Sequence, residues 1–344
     1  MRRVVRRVGG AALVLLVGAS SAEGQRLFRR TEPLEVTIRT ELQKLVNDRD
    51  STERTLYPAE LEYKDTSGAL VKVPINLRTR GHYRRKYSTC DFPPLRVEIA
   101  REAAAGSIFQ GNRKLKLAST CKPNNPEYEQ YILQEAALYR MYAVLTPWSY
   151  RVRMAHLTYV DVSGRAKTVV SWGFFVEDDG DLAQRRNAKK FEQKGALFED
   201  LEPEKWGLTQ LFEYMAGNTD FSVSALHNIT LLKDSTGMVH AVPFDFDWSG
   251  AVNARYAFPD KSLPIRQVVE RMWRGDCRPA AELAPSFEHF KARRTALDSA
   301  YTTLEGMTPV VRNRLQRYFD DFWKAIENPR VAAVEFKRTC ARGN

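Results

Sequence analysis

The hydrophobic pattern changes character part-way along the chain, and this change limits the folds open to it. Residues 34–117 carry short alternating apolar segments separated by turn residues, which is typical of β-strands. Beyond residue 178, longer segments with helical spacing dominate. We therefore expect an α+β protein of two lobes joined near 177–180, with a sheet-rich lobe over 34–178, a mainly helical lobe over 179–340 and a ligand-binding cleft between them.

Individual elements follow from the same patterns. In the first half we predict strands at 34–38, 56–64, 70–77, 94–99, 114–117, 151–160 and 167–176, a short helix at 41–47 and one long helix at 127–145. In the second half we predict a hairpin of 228–232 and 238–244, and helices at 204–215, 263–273, 286–304 and 309–327.

The first 22 residues have the composition of an export signal. Four arginines precede an apolar run over 11–17, and small residues, including Ser20 and Ala22, follow it. The run is shorter than the roughly 20 apolar residues of a membrane-spanning helix, and no later stretch approaches that length. We expect cleavage near Ala22, no transmembrane segment afterwards, and a periplasmic or secreted protein.

All four cysteines lie beyond the predicted signal, and an even number in an exported chain predicts two disulfides. Three pairings are possible and the sequence does not choose among them. We favour Cys90 with Cys121 and Cys277 with Cys340, because each pair then stays within one half of the chain. No C-x-x-C or nearby histidine spacing points to zinc.

Two basic runs stand out in a chain of net charge +11, of which the signal arginines contribute 4. They are RTRGHYRRK at 78–86 and QRRNAKK at 184–190. Such runs suit phosphate groups or an anionic surface, and the ordinary alternative is a solvated face. A nucleic-acid role would depend on net charge alone, so we expect no nucleic-acid partner.

Two neighbouring segments carry the main candidates for chemistry. AGNTDFSVSALHNITLL contains Asp220 and Asn228, and HAVPFDFDWSG contains Asp245 and Asp247. Asp220 follows a helix in a turn, where its carboxylate could accept a hydroxyl proton, and Asn228 could offer its oxygen to Mg²⁺. An Asx-turn is the plain structural alternative for Asp220. Two carboxylates leaving a strand among aromatic residues are costly unless a cation pairs with them.

Phosphate contacts are predicted from a second set of residues. Lys114 and Lys116 occupy one face of a strand, and Glu135 lies on the following helix, so we expect Lys116 to pair with Glu135 and hold nucleotide phosphates. Arg80 and Arg84 lie in a turn that could approach phosphates through guanidinium groups. The alternatives are an edge-strand lysine, an exposed glutamate and a basic surface turn.

The order of these motifs resembles the CotH kinase family, the atypical protein kinases of spore coats, and GNTD through HN is similar to the catalytic loop of HipA-type kinases. The resemblance covers roughly residues 78–250. It implies a protein-kinase-like fold in which Asp220 is the catalytic-loop aspartate, Asn228 and Asp245 bind metal, and Asp247 assists a second metal. Whether Lys114, Lys116 or Arg96 matches the family lysine is left open. Mg²⁺ or Mn²⁺, ATP as donor and a protein substrate are implied as well.

Two other functions stay open. A non-catalytic envelope or extracellular binding protein on a kinase-like (pseudokinase) scaffold is one, because an exported enzyme meets little ATP in a periplasm. A glycoside hydrolase using Asp220, Asp245 and Asp247 is the other, although Asn228 and a lysine–glutamate pair would then have no task. His227 is interpreted as loop scaffolding, since no histidine has zinc-site spacing.

Overall fold

A computed structural model describes residues 26–50, 52–53 and 55–340 of the chain. The predicted export signal at residues 1–22 lies outside the described residues. Within them, the strands are β1 (Leu34–Thr40), β2 (Tyr57–Lys64), β3 (Leu70–Thr79), β4 (Leu95–Glu98), β5 (Lys114–Ser119), β6 (Val152–Asp161), β7 (Val169–Val176), β8 (Ala188–Lys190), β9 (Ile229–Asp234) and β10 (Val239–Pro243).

The first seven strands form a closed barrel in the order β1-β2-β3-β4-β5-β7-β6. Closure comes from a parallel pairing of β1 with β6, in which Leu34 lies opposite Ala155 and Thr40 opposite Asp161. The prediction of a two-lobed kinase-like fold, with a sheet-rich lobe carrying one long helix, is therefore wrong. The molecule is mixed α+β, and its N-terminal sheet has no open edge because both edge strands pair with each other.

Alternation along the strands fills the barrel with apolar side chains. Val36 and Ile38 of β1 and Ile75 of β3 point inward, while their neighbours in sequence face outward or are only partly covered, and Leu61 of β2 is buried in the same core. Phe175 of β7 completes this core. The same period-two pattern that predicted the strands therefore also defines the barrel interior.

The helices are α1 (Leu42–Asn47), α2 (Arg101–Ala104), α3 (Pro126–Leu145), α4 (Asp179–Arg185), α5 (Pro203–Ala216), α6 (Ala284–Lys291), α7 (Arg294–Thr302), α8 (Pro309–Glu327) and α9 (Pro329–Arg338). The expected helix at 263–273 is absent, since those residues form turns, and the expected helix at 286–304 is divided into α6 and α7. Helix α3 is buried on almost every side, and it shares one large core with α5 and the C-terminal helices.

A three-stranded antiparallel sheet in the order β10-β9-β8 follows the barrel. Its β9–β10 hairpin is the one predicted from the sequence, with Ile229 opposite Pro243. Each half of the chain also has its disulfide, Cys90–Cys121 and Cys277–Cys340, which confirms the favoured pairing. These two bonds fit a protein of an oxidising, extracytoplasmic compartment. Among the described helices, none has both the length and the apolar character needed to cross a bilayer.

Candidate functional site

A cavity of about 410 Å³ collects most of the polar candidates. It lies between the β3–β4 connection of the barrel and the loops that flank β9 and β10. The residues from the sequence analysis that line it are Arg80, Arg84, Asp220, His227, Asn228, Asp245 and Asp247. Asp220, Asn228 and Asp245, which were expected to share one site, therefore line one cavity.

The end of helix α5 determines where Asp220 lies. Gly217 adopts φ 64°, and the N–H of Asn218 donates to the carbonyl of Glu213 at 2.8 Å, which ends the helix in a left-handed cap. A side chain at Gly217 would meet the hydroxyl of Tyr318, so glycine is needed for space as well as for conformation. The N–H of Asp220 then donates to Oδ1 of Asn218 at 3.0 Å, which fixes the turn.

Both carboxylate oxygens of Asp220 accept hydrogen bonds from one short segment. His227 Nε2 lies 2.9 Å from Oδ1, and Asn228 Nδ2 donates to Oδ2 at 3.0 Å and to the backbone carbonyl of Asp220 at 2.7 Å. The hydrogen bond to Asp220 raises the pKa of His227, although burial works against it. His227 is thus a direct partner of the candidate catalytic carboxylate, which the sequence interpretation as scaffolding did not anticipate.

Positive φ angles concentrate at this site. Leu226 has φ 55°, Asn228 has φ 51° and Asp245 has φ 63°. Asparagine and aspartate tolerate this region, whereas a leucine there costs on the order of 1 kcal/mol or more. The N–H of Asp245 donates to the hydroxyl of Tyr139 at 2.8 Å, and this contact holds the left-handed conformation from the buried side. Such strain is kept where a side chain must point in a set direction.

The partly buried Asp245 and the buried Asp247 form a carboxylate cluster with the buried Glu135 of α3. One oxygen from each residue lies within 4.8 Å of the other two. Arg84 approaches the cluster, with its Nε 3.4 Å from Asp247 and its Nη1 3.8 Å from Glu135. Tyr256 donates a further hydrogen bond to Asp247 at 3.1 Å. One guanidinium therefore faces three acids.

The charges of this cluster shift the protonation of its members. Burial raises the pKa of Glu135 well above its ordinary value, and the charges of Asp247 and Asp245 raise it further against the opposing charge of Arg84. Burial likewise raises the pKa of Asp247 to about 6, with Arg84 opposing and Asp245 adding to the rise. Burial acts against the charge of Arg84, yet its acidic neighbours keep its pKa well above the ordinary value.

The cluster fits a hard divalent cation by the chemistry of its donors. Its donors are carboxylate oxygens, which Mg²⁺ and Mn²⁺ prefer, and a cation would offset the negative charge that Arg84 leaves. Glu135 Oε2 is buried and has no hydrogen-bond partner among the described residues, so this oxygen is free to act as a metal ligand. Glu135 therefore joins Asp245 and Asp247 as a candidate ligand, a position that differs from the predicted partnership with lysine.

The expected pairing of Lys116 with Glu135 is replaced by a different one. Lys116 Nζ lies 2.9 Å from Oδ1 of Asp179, the first residue of α4, and 4.3 Å from the ring centre of Phe244. Tyr150 donates to the same oxygen of Asp179 at 2.9 Å. Burial lowers the pKa of Lys116, while Asp179 opposes this effect. Lys116 therefore ties the barrel to α4, and Lys114 is exposed on the same strand, outside the cavity lining.

Glu213 is a functional candidate that the sequence interpretation missed. It is buried near the end of α5, where its Oε2 accepts from Asn218 Nδ2 at 2.9 Å, and Asn218 in turn holds the turn of Asp220. Burial raises the pKa of Glu213 to about 8, with the Asn218 amide opposing and the charge of Asp220 adding to the rise. The sequence did contain a signal for this residue, because a glutamate on the apolar face of the predicted helix at 204–215 is unusual.

Comparison with known proteins adds no relative to this picture. No family model matches the chain, and a search of curated proteins returns no match. The resemblance to CotH-type and HipA-type kinases therefore remains a prediction from motifs.

Proposed function

We propose that this protein is a Mg²⁺- or Mn²⁺-dependent phosphotransferase that moves the γ-phosphoryl group of ATP to a protein hydroxyl. The observation that supports this function is that one cavity is lined by all of the polar groups it needs. These are the loop carboxylate Asp220, the amide Asn228, the carboxylates Asp245 and Asp247, and Arg80. The proposal does not require a kinase-like fold. The barrel itself carries the turn of Arg80 and Arg84, in the connection between β3 and β4.

Asp220 would act as the proton acceptor. In the transfer, the bond between the γ-phosphorus and its bridging oxygen breaks, the acceptor hydroxyl oxygen forms the new bond, and its proton passes to Asp220. The hydrogen bonds from His227 and Asn228 orient this carboxylate toward the cavity. Its half-exposed position leaves room for a substrate hydroxyl to reach it.

Metal ligands would come from Asn228, Asp245 and Asp247, with Glu135 beside them. A bound divalent cation supplies positive charge that neutralises the phosphate oxygens during transfer. Asn228 uses its nitrogen toward Asp220, so its oxygen Oδ1 is the atom left to serve as a ligand. Arg80 on the cavity wall is the residue best placed to contact phosphate oxygens, since Arg84 is committed to the carboxylate cluster.

Label transfer tests this function. Purified protein is incubated with γ-labelled ATP, Mg²⁺ or Mn²⁺, and casein as a general acceptor, and incorporation into casein and into the protein itself is measured. We expect incorporation by wild type, loss of at least about a hundredfold in Asp220→Asn, and no change in Asp321→Asn, which alters only an exposed surface ion pair. Equal incorporation by wild type and Asp220→Asn would exclude the assignment.

A non-catalytic binding function is the second candidate, and Arg84 is the observation that favours it. Its guanidinium already supplies a positive charge to Asp247 and Glu135, which a metal would otherwise do. For this candidate we expect MgATP to raise the melting temperature of wild type but not of Asp245→Ala, with no label transfer by either. Transfer by wild type would favour the enzyme, and no response to MgATP in either assay would exclude a nucleotide site of either kind.

A further inference from the structure

A second cavity lies at the opposite end of β3 from the acidic cavity, which is the one lined by Asp220, Asp245 and Asp247. The turn that follows Lys64 leads into the first residue of β3, whereas Arg80 directly follows its last residue. A strand of 10 residues spans about 33 Å at about 3.3 Å per residue. The two cavities are therefore separate sites on opposite ends of the barrel.

This second cavity has an apolar floor and encloses about 630 Å³. Leu27, Leu34 and Ile108 line it, and all three pack against or belong to the barrel core. The hydroxyl of Tyr63 accepts a hydrogen bond from the Ile108 N–H at 3.0 Å, which fixes that wall. A volume of this size accommodates a small organic ligand.

Arg153 of β6 brings a buried positive charge to the wall. Arg153 is only 7% exposed, and its Nη1 donates to the carbonyl of Leu27 at 3.3 Å. Its Nε is buried with no hydrogen-bond partner, and no carboxylate forms an ion pair with Arg153 among the described residues. The charge of Glu32, which also lines the cavity, offsets part of the cost of burying this guanidinium but forms no ion pair with it, and an anion from outside would offset more of that cost.

The rest of the rim adds to this positive field. Five basic residues line the cavity against three acidic ones. Two of the acids are already engaged, since Asp65 accepts from the N–H and hydroxyl of Ser67 and Glu35 lies 3.0 Å from Nδ1 of His156. The cavity therefore combines apolar surface with an excess of positive charge.

We propose that this cavity binds an amphipathic anion, with a carboxylate or phosphate head at Arg153 and an apolar tail on the floor of Leu27, Leu34 and Ile108. The head group would pair with the guanidinium of Arg153 in a charge-assisted hydrogen bond. The tail would cover the parts of Leu34 and Ile108 that the barrel core leaves exposed, beside the buried Leu27. This site does not depend on phosphoryl transfer, since none of its residues lines the acidic cavity.

Isothermal titration calorimetry with dodecanoate, below its micelle concentration, tests the proposal, and dodecyl phosphate distinguishes the two head groups. We expect binding of at least one of these anions, no binding of dodecyltrimethylammonium, and affinity reduced about tenfold or more in Arg153→Gln. Arg113→Gln, which changes an exposed arginine outside the cavity lining, is the matched control and should bind as wild type does.

Ile108→Trp provides a second variant that keeps every charge and fills the cavity instead. It should also weaken binding, and circular dichroism shows that each variant is folded. If Arg153→Gln does not fold, Ile108→Trp decides the outcome. Failure of both anions to bind, equal binding of the ammonium probe, or unchanged affinity in folded Ile108→Trp would each overturn the proposal.

Discussion

Glu213 should make the stability of this protein fall steadily between pH 4.5 and pH 8. Its pKa is about 8 in the folded chain against an ordinary 4.5, because burial disfavours the charged form. The folded state therefore holds this proton more tightly than the unfolded chain does. The stabilisation is complete below pH 4.5 and is lost as the pH rises through the folded pKa, by about 1.4 kcal/mol per pH unit.

Glu213→Gln removes this titration while keeping an oxygen for Asn218 Nδ2. At pH 4 the variant should be equal to wild type or about 1 kcal/mol less stable, because its new amide has no acceptor at the position of Oε1. At pH 7 it should gain about 3 kcal/mol over wild type from the absent titration, and at pH 9 about 5 kcal/mol. Both gains are reduced by the cost of the amide.

Urea denaturation followed by tryptophan fluorescence at pH 4, 7 and 9 measures these differences. Glu305→Gln, at an exposed glutamate, is the control and should follow wild type at every pH. The reasoning is refuted if the difference between Glu213→Gln and wild type is the same at all three pH values, or if the variant is the less stable protein at pH 9.

Three further outcomes follow from contacts elsewhere. Replacing Cys277 and Cys340 by serine releases a loop with a sequence separation of 63 and should lower the free energy of unfolding by about 4 kcal/mol, measured by urea denaturation. Gly173→Ala would bring a Cβ against the Leu157 side chain and to 2.7 Å from a backbone carbonyl oxygen, so its melting temperature should drop by an amount corresponding to about 1–3 kcal/mol. The pKa of His227, which its carboxylate partner raises, should fall in an NMR titration when that aspartate is changed to asparagine, and an unchanged value would show that the pairing is absent in solution.

The strands of the barrel could be predicted from the sequence, but its closure could not. Alternation is local, and it places β1, β2 and β3 within one or two residues of their observed bounds. Closure depends on the parallel match of Leu34 with Ala155, and no local pattern carries information about a partner so far along the chain. The resemblance to kinases implied a two-lobed fold with a sheet-rich first lobe, and the closed barrel takes the place of that lobe.

The candidate site shows the same division between local and distant information. Asp220, Asn228 and Asp245 were expected together because a single hairpin connects them, and that hairpin forms as predicted. The predicted partner of Lys116 was wrong. Lys116 pairs with Asp179, which begins a helix that was not predicted. An unforeseen short helix was enough to move the ion pair.

The parallel match between β1 and β6 also sets an order of events during synthesis. Because a chain emerges from its N-terminus, β1 leaves the ribosome long before Val152–Asp161 exists to cover it. Until then it has β2 on one side only, and its other side offers unpaired N–H and carbonyl groups to any neighbouring strand. The barrel seals late, so a nascent chain halted before residue 152 is expected to be the form most prone to self-association.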